Sequence, residues 1–205
     1  MKRFTLTTLD AAQLGALPAG SVPRFNVAPL QTALIRTADA IAPARWGLLP
    51  PWRGHGGKRG PHVVHAPLDQ IEATPLLRNA RKAGRCLVLA DGFFTWRAAP
   101  GGKPQPIWHH RADRRPVGLA ALSAKHKDDD QLSFAVIGGE DDPPIVIDDV
   151  ETWLHGKLAA ATALLAAAPD AGWRAEPVST WVNAVGHDDA KCVEPLRNPA
   201  QGELF

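Results

Sequence analysis

The sequence predicts an α+β fold, with a mixed, partly barrel-like β-sheet flanked by short helices. Three observations carry this. Apolar runs are short, and 19 prolines and 18 glycines interrupt them too often for long helices. Helical punctuation appears near both ends and in one internal segment, with strand-like runs between. At 205 residues and 45% hydrophobic content, the chain buries one substantial core. One domain over residues 1–198 and a tail at 199–205 are expected.

In chain order, Thr7 or Thr8 caps a first helix through Ala11, Ala12, Leu14 and Leu17, closed by Pro18 and Gly20. From Val22 to Pro50, runs such as Thr32–Arg36 broken by prolines read as strands and loops. Residues 53–61 hold four glycines with Lys58 and Arg59, a basic exposed loop. Thr74–Gly84 is the best-punctuated helix: Thr74 caps it, Pro75 opens it, cations gather at its end and Gly84 stops it. Cys86–Ala90, Ile107–His110, Val117–Ala121 and Leu132–Ile137 read as strands. Asp148 and Glu151 form a capping box for a helix through Trp153 and Leu154, which Gly156 interrupts. An Ala-rich helix over Lys157–Ala168 ends before Pro169.

Composition excludes several classes. No run approaches the 18 apolar residues of a membrane span, and Thr7, Thr8 and Asp10 break any signal-peptide core. Two isolated cysteines, Cys86 and Cys192, fit a reducing cytosol better than a disulfide framework. Cys86 opens an apolar strand and is expected in the core. His62-x-x-His65 and His109-His110 lack the third and fourth ligands of a zinc site, and adjacent strand residues face opposite ways, so no metal is expected. Asp128–Asp130 reads as a solvated turn. Net charge is only +2, yet residues 45–127 carry 15 Lys/Arg against 4 Asp/Glu, and residues 128–205 carry 4 against 15. A basic middle is the footprint of phosphate binding, unless the segments intermix on the folded surface.

Four motifs recur in order: Arg24-Phe25-Asn26-Val27-Ala28-Pro29, Arg45-Trp46-Gly47-Leu48-Leu49-Pro50, Cys86 to Trp96 with Asp91-Gly92-Phe93-Phe94-Thr95-Trp96, and Pro177-Val178-Ser179-Thr180-Trp181-Val182-Asn183. Together they resemble the SRAP family (SOS response-associated peptidase), whose members bind single-stranded DNA and capture abasic sites. In that family an N-terminal cysteine, exposed by methionine removal, forms an imine through its α-amine and closes a thiazolidine with its thiol. Aligned on Arg3-Phe4, Met1 falls on the cysteine and Lys2 on the following glycine, so no thiol is available there. Lys2 is too large for methionine removal, and Met1 is expected to stay. An α-amine, with an ordinary pKa of roughly 7.7–8, retains a neutral fraction at pH 7 that suffices for a reversible Schiff base.

The resemblance implies further substitutions. His65 stands at the family's asparagine, Pro67 at its arginine, Asp69 at its glutamate, Thr95 at its catalytic glutamate, Glu140 at its histidine and Asp142 at a second arginine. Threonine is no carboxylic acid–base at neutral pH. Either His65 and Glu140 exchange the lost group types, or the chemistry has gone. The positions matching the catalytic set are therefore Met1, His65, Thr95 and Glu140. Arg3, Asn26 and Pro29 match DNA-contacting positions, Trp52 and Arg53 the DNA-facing loop, and Ser179 and Asn183 polar positions near the pocket. Trp46 is expected in the core.

These readings converge on a cytoplasmic, monomeric pseudoenzyme that binds single-stranded or abasic-site DNA without thiol crosslinking, cofactor or metal. Two alternatives stand beside it: a Schiff-base or lyase enzyme using the Met1 α-amine, and a protein-interaction module that no longer binds DNA.

Overall fold

The computed structural model describes residues 1–50, 60–98, 102–126, 131–166 and 172–196. Trp52, Arg53, most of the glycine-rich basic loop, the Asp128–Asp130 turn and the 199–205 tail lie outside the described residues.

Two sheets form the molecule, with helices on one of them. In the larger, β4 (Ile41–Trp46), β3 (Thr32–Arg36), β6 (Arg85–Ala90), β9 (Val117–Lys125) and β10 (Leu132–Ile137) are successive antiparallel neighbours. Parallel pairing of β10 with β4, Ser133 opposite Arg45 and Phe134 opposite Trp46, closes this sheet into a barrel. Farther along β10, the two-residue β5 (His65–Ala66) pairs in parallel, His65 opposite Val136. The second sheet is antiparallel, in the order β11 (Trp173–Pro177), β8 (Gln105–Arg111), β7 (Gly92–Arg97), β1 (Arg3–Leu6), β2 (Arg24–Val27).

Strand alternation sorts the core. Cys86, Val88 and Ala90 of β6, with Leu119 and Ala121 of β9, join Met1, Phe4, Val27, Trp46 and Phe93 between the sheets. The alternate residues Leu87, Ala120, Leu122, Ala135 and Ile137 face α2 (Pro75–Ala83), α3 (Val150–His155) and α4 (Leu158–Ala166). Over the outer face of the second sheet, Val178, Val182 and Cys192 from the C-terminal segment cover Phe94 and Trp108. Trp46 is fully buried, as expected, and tilts against Phe4 with ring centroids 5.1 Å apart.

The caps differ from the sequence reading. The first helix, α1, spans only Ala11–Leu14, and its cap is Asp10, which accepts from the Ala12 N–H. Thr7 and Thr8 lie upstream of that cap, where both backbone N–H groups and the Thr7 hydroxyl donate to the carboxyl of Asp91. Asp149, not Asp148, caps α3 by accepting from the Thr152 N–H at 2.9 Å. Thr74 sits at the N-cap of α2 without a side-chain capping bond. Strands β1, β5, β7 and β11 went unpredicted; β11, with Arg174 and Glu176 among its five residues, carries no apolar alternation.

Gly84 ends α2 and passes under β9, where its carbonyl accepts from the Ser123 N–H at 2.6 Å. A Cβ there would lie 2.0 Å from the Ser123 carbonyl oxygen, a backbone atom fixed by the sheet. Gly84→Ala is expected to cost about 2–3 kcal/mol. A lowered urea midpoint at unchanged m-value would show it; an unchanged midpoint would refute it.

Candidate functional site

The first residue is built into the fold. Met1 is only 2% exposed, and its side chain packs between the sheets. Its α-ammonium donates to the carbonyls of Gly139 at 3.3 Å, Asp142 at 2.9 Å and Glu140. These carbonyls belong to a turn just past β10, tied by a bond from the Gly139 N–H to the Asp142 carboxyl at 2.8 Å. The Met1 carbonyl lies 2.6 Å from His65 Nε2. A carbonyl only accepts, so His65 carries its proton on Nε2. Burial lowers the α-amine pKa below its ordinary 8.0, against the opposing pull of Asp141, Asp142 and Glu140. Burial likewise lowers His65, with its bond to Met1 opposing.

Lys2 projects outward, its ammonium 3.7 Å from the Glu140 carboxyl and 3.3 Å from that of Asp141. Glu140 thus offers its backbone to the α-amine and its side chain to Lys2. On β7, Thr95 Oγ1 lies 2.8 Å from His109 Nε2 of β8. His109 is half-buried and stacks on Phe93 with centroids 4.6 Å apart, while His110 faces the other way and is 2% exposed.

A second polar group sits beside this one. Asn26, fully buried, donates its amide to the carbonyls of Val182 at 3.0 Å, Ala184 at 3.1 Å and His187 at 2.8 Å. Arg3 donates to Asn26 Oδ1 at 3.2 Å and to the carbonyls of Val182 and Asn183. Its guanidinium lies over the Trp96 ring, 5.4 Å from the centroid, and the Trp96 indole donates to Asn183 Oδ1 at 2.7 Å. Asp188 accepts from the Asn26 N–H at 2.8 Å and pairs with Arg24. The C-terminal turn Thr180–Asn183 is thereby clamped onto β1 and β2.

The SOS response associated peptidase (SRAP) family model matches residues 5–185. The chain belongs to this family. The abasic site processing protein YedK of Escherichia coli is 25% identical over 196 residues, covering 85% of this chain and 86% of that protein. The abasic site processing protein YoqW of Bacillus subtilis is 34% identical over 86 residues, 40% of this chain and 38% of that protein. Among solved structures, a protein from Bacteroides thetaiotaomicron has a TM-score of 0.76 at 17% identity, covering 96% of this chain and all of that one. A phage-related protein from Bordetella bronchiseptica has a TM-score of 0.69 at 24% identity, covering 87% and 94%. At these identities the structural likeness shows the fold alone.

Within this SRAP fold, Met1, His65 and Glu140 come together at the end of β10. Thr95 follows directly after Phe94, whose pairing with Arg3 is the last of the β1–β7 ladder. Arg3, Asn26 and Asn183 form the clamp, with most of their hydrogen bonds directed inward. Pro29 and Leu30 protrude beyond β2, Leu30 being 45% exposed with φ of 69°. Ser179 lies at the clamped turn, where its hydroxyl accepts from the Trp181 N–H at 3.2 Å. Cys86 and Cys192 are both buried, and burial pushes the Cys86 thiol up to about 12 and raises that of Cys192. Among the described residues, no three His, Cys, Asp or Glu side chains converge on a metal-sized site, and no helix is long and apolar enough to cross a membrane.

Sequence reading passed over Asp188, quoted Asp91 only within a motif and weighed His109 only as a metal ligand. Asp91 is 1% exposed and accepts from Thr5 and Thr7 hydroxyls and from the Thr7 and Thr8 N–H groups. No spacing rule links residues 5–8 to 91, or 24–26 to 188. For His109, strand alternation gave its direction but not its partner.

Proposed function

We propose that this SRAP protein recognises abasic sites in single-stranded or gapped DNA, as part of the response to DNA damage, and does so without thiol crosslinking. The observation that carries this reading is the Met1 α-amine held at the end of β10 beside His65, with both thiols buried and raised in pKa. The relatives named as abasic site processing proteins support the substrate class. The exposed Pro29 is the element suited to part stacked bases. Trp52 and Arg53 offer a stacking ring and a phosphate partner. Arg3, Ser179 and Asn183 are the further polar groups this reading assigns to the DNA, and Asn26 holds their turn in place. We place the protein in the cytoplasm as a monomer.

The lowered pKa of the α-amine favours one second reading, reversible imine formation with the abasic aldehyde, because the neutral amine is the nucleophile. Anisotropy with abasic single-stranded DNA is expected to show binding that weakens linearly in log Kd against log salt. Intact mass after incubation is expected to show no stable adduct without borohydride. An adduct that survives without reduction would refute the loss of crosslinking. Absence of binding at low salt would refute the DNA reading and favour an interaction module.

A further inference from the structure

A cavity of about 980 Å³ opens between the end of β9, the start of β10 and the last turn of α2. Leu132, the first residue of β10, lines it, whereas the acceptors of the Met1 α-amine follow the last residue of that strand. The six residues of β10 set the two places roughly 17 Å apart along the strand. The cavity is therefore separate from the amine and its surroundings.

Arg45 is the side chain that gives the cavity a chemistry. Its neighbours along β4, Ala44 and Trp46, pack between the sheets, so alternation turns Arg45 to the opposite face. Across the ladders it is flanked by Thr32 of β3 and Ser133 of β10. The Ser133 hydroxyl is already engaged, accepting from the Leu49 N–H at 3.1 Å and donating to the Ala124 carbonyl at 3.3 Å. Arg45 Nε is buried and meets no hydrogen-bond partner among the described residues. Arg85, the second guanidinium in the wall, is committed to the carbonyls of Arg81, Trp153, Leu154 and Gly156, and brings charge without an idle donor. Lys82 adds an exposed ammonium in the last turn of α2. Among the described lining residues, Asp39 is the one carboxylate. A buried arginine donor left unmatched is unfavourable, and an anion entering here would satisfy it.

The size and lining narrow the anion. A guanidinium fork matches the oxygens of a phosphate, but a lone phosphate would leave most of the space unfilled. Pro43, Leu76 and Leu154 supply apolar surface, while Thr32 and Asn79 supply neutral polar groups. A fatty acid would leave those polar groups unmatched; a base and sugar use both kinds of surface. We propose that this cavity binds a nucleotide, with its phosphate on Arg45 and its base against the apolar part of the wall. A free mononucleotide and one unit of a DNA strand present the same chemistry. The inference stands apart from the abasic-site reading.

The test is calorimetric titration of the whole protein with deoxyadenosine 5′-monophosphate, expected to show one saturable site. Deoxyadenosine, without the phosphate, should bind at least about tenfold more weakly. Arg45→Met keeps an apolar stem and should weaken the monophosphate by roughly 10–100-fold. Arg45→Lys should weaken it less, since an ammonium keeps the charge and loses the fork. Lys82→Glu changes an exposed helix position and should weaken it about fivefold; if Arg45→Met fails to fold, this variant and Arg45→Lys decide. No saturable binding by wild type, equal binding of nucleoside and monophosphate, or unchanged affinity in both Lys82→Glu and the folded Arg45 variants would overturn the site. A short oligothymidylate free of abasic sites separates the two sources. If the monophosphate displaces it and the Arg45 variant weakens both, the nucleotide belongs to a strand. If the oligomer is unaffected by either, the nucleotide is free.

Discussion

Asp91→Ala is expected to lower stability by roughly 3–5 kcal/mol, among the largest effects of any single substitution in this chain. The carboxyl of Asp91 accepts from Thr5 Oγ1 at 2.6 Å, Thr7 Oγ1 at 2.7 Å, and the backbone N–H groups of Thr7 at 2.6 Å and Thr8 at 3.2 Å. Alanine leaves these donors facing a dry void. The two hydroxyls can rotate to other acceptors, but the backbone N–H groups cannot. Asp91→Asn should recover most of the loss, because its amide oxygen can still meet the backbone donors while its NH2 turns toward the Thr5 hydroxyl. Urea unfolding of the three proteins decides the matter. An alanine variant within 1 kcal/mol of wild type would show that β1 is held by its ladders alone. Because β1 leads straight back to Met1, the alanine variant should also bind abasic DNA more weakly.

The second large effect concerns the α-amine. Acetylating it is expected to abolish the borohydride-trapped adduct, since an amide nitrogen has no lone pair free to attack. The same change replaces an ammonium with three acceptors by a single N–H, and should cost about 2–3 kcal/mol, as for hydrogen bonds from a charged donor. Lys2→Arg keeps the ion pairs with Glu140 and Asp141 and removes the adjacent ε-amine. The adduct should persist in that variant. Loss of adduct in Lys2→Arg with retention after acetylation would move the chemistry to the ε-amine.

What the sequence disclosed followed from local rules. Leu132–Ile137 was legible as a strand, and Pro75–Ala83 as a helix, because alternation, proline and glycine act within a few residues. The α+β class and the burial of Trp46 and Cys86 followed for the same reason. The α1 cap was misread because Thr7 and Thr8 are drawn to Asp91, more than 80 positions away. Of the candidate site, the resemblance singled out Met1, His65 and Glu140, which do meet. It could not show that Glu140 meets the amine through its backbone, nor that Asn26 faces carbonyls. Those facts depend on side-chain rotamers that form only once distant strands have paired. The Thr95–His109 contact is of the same kind, a diagonal across two strands that neither residue announces.

The docking of Met1 has a consequence for biosynthesis. Its acceptors lie 138 to 141 positions downstream, so the nascent chain cannot bury its first residue until that turn has left the ribosome. At a synthesis rate of roughly 5–20 residues per second, residue 1 waits about 7–30 s for those acceptors. The contact that seats the α-amine therefore closes late, and its formation reports that the two ends of the fold have met.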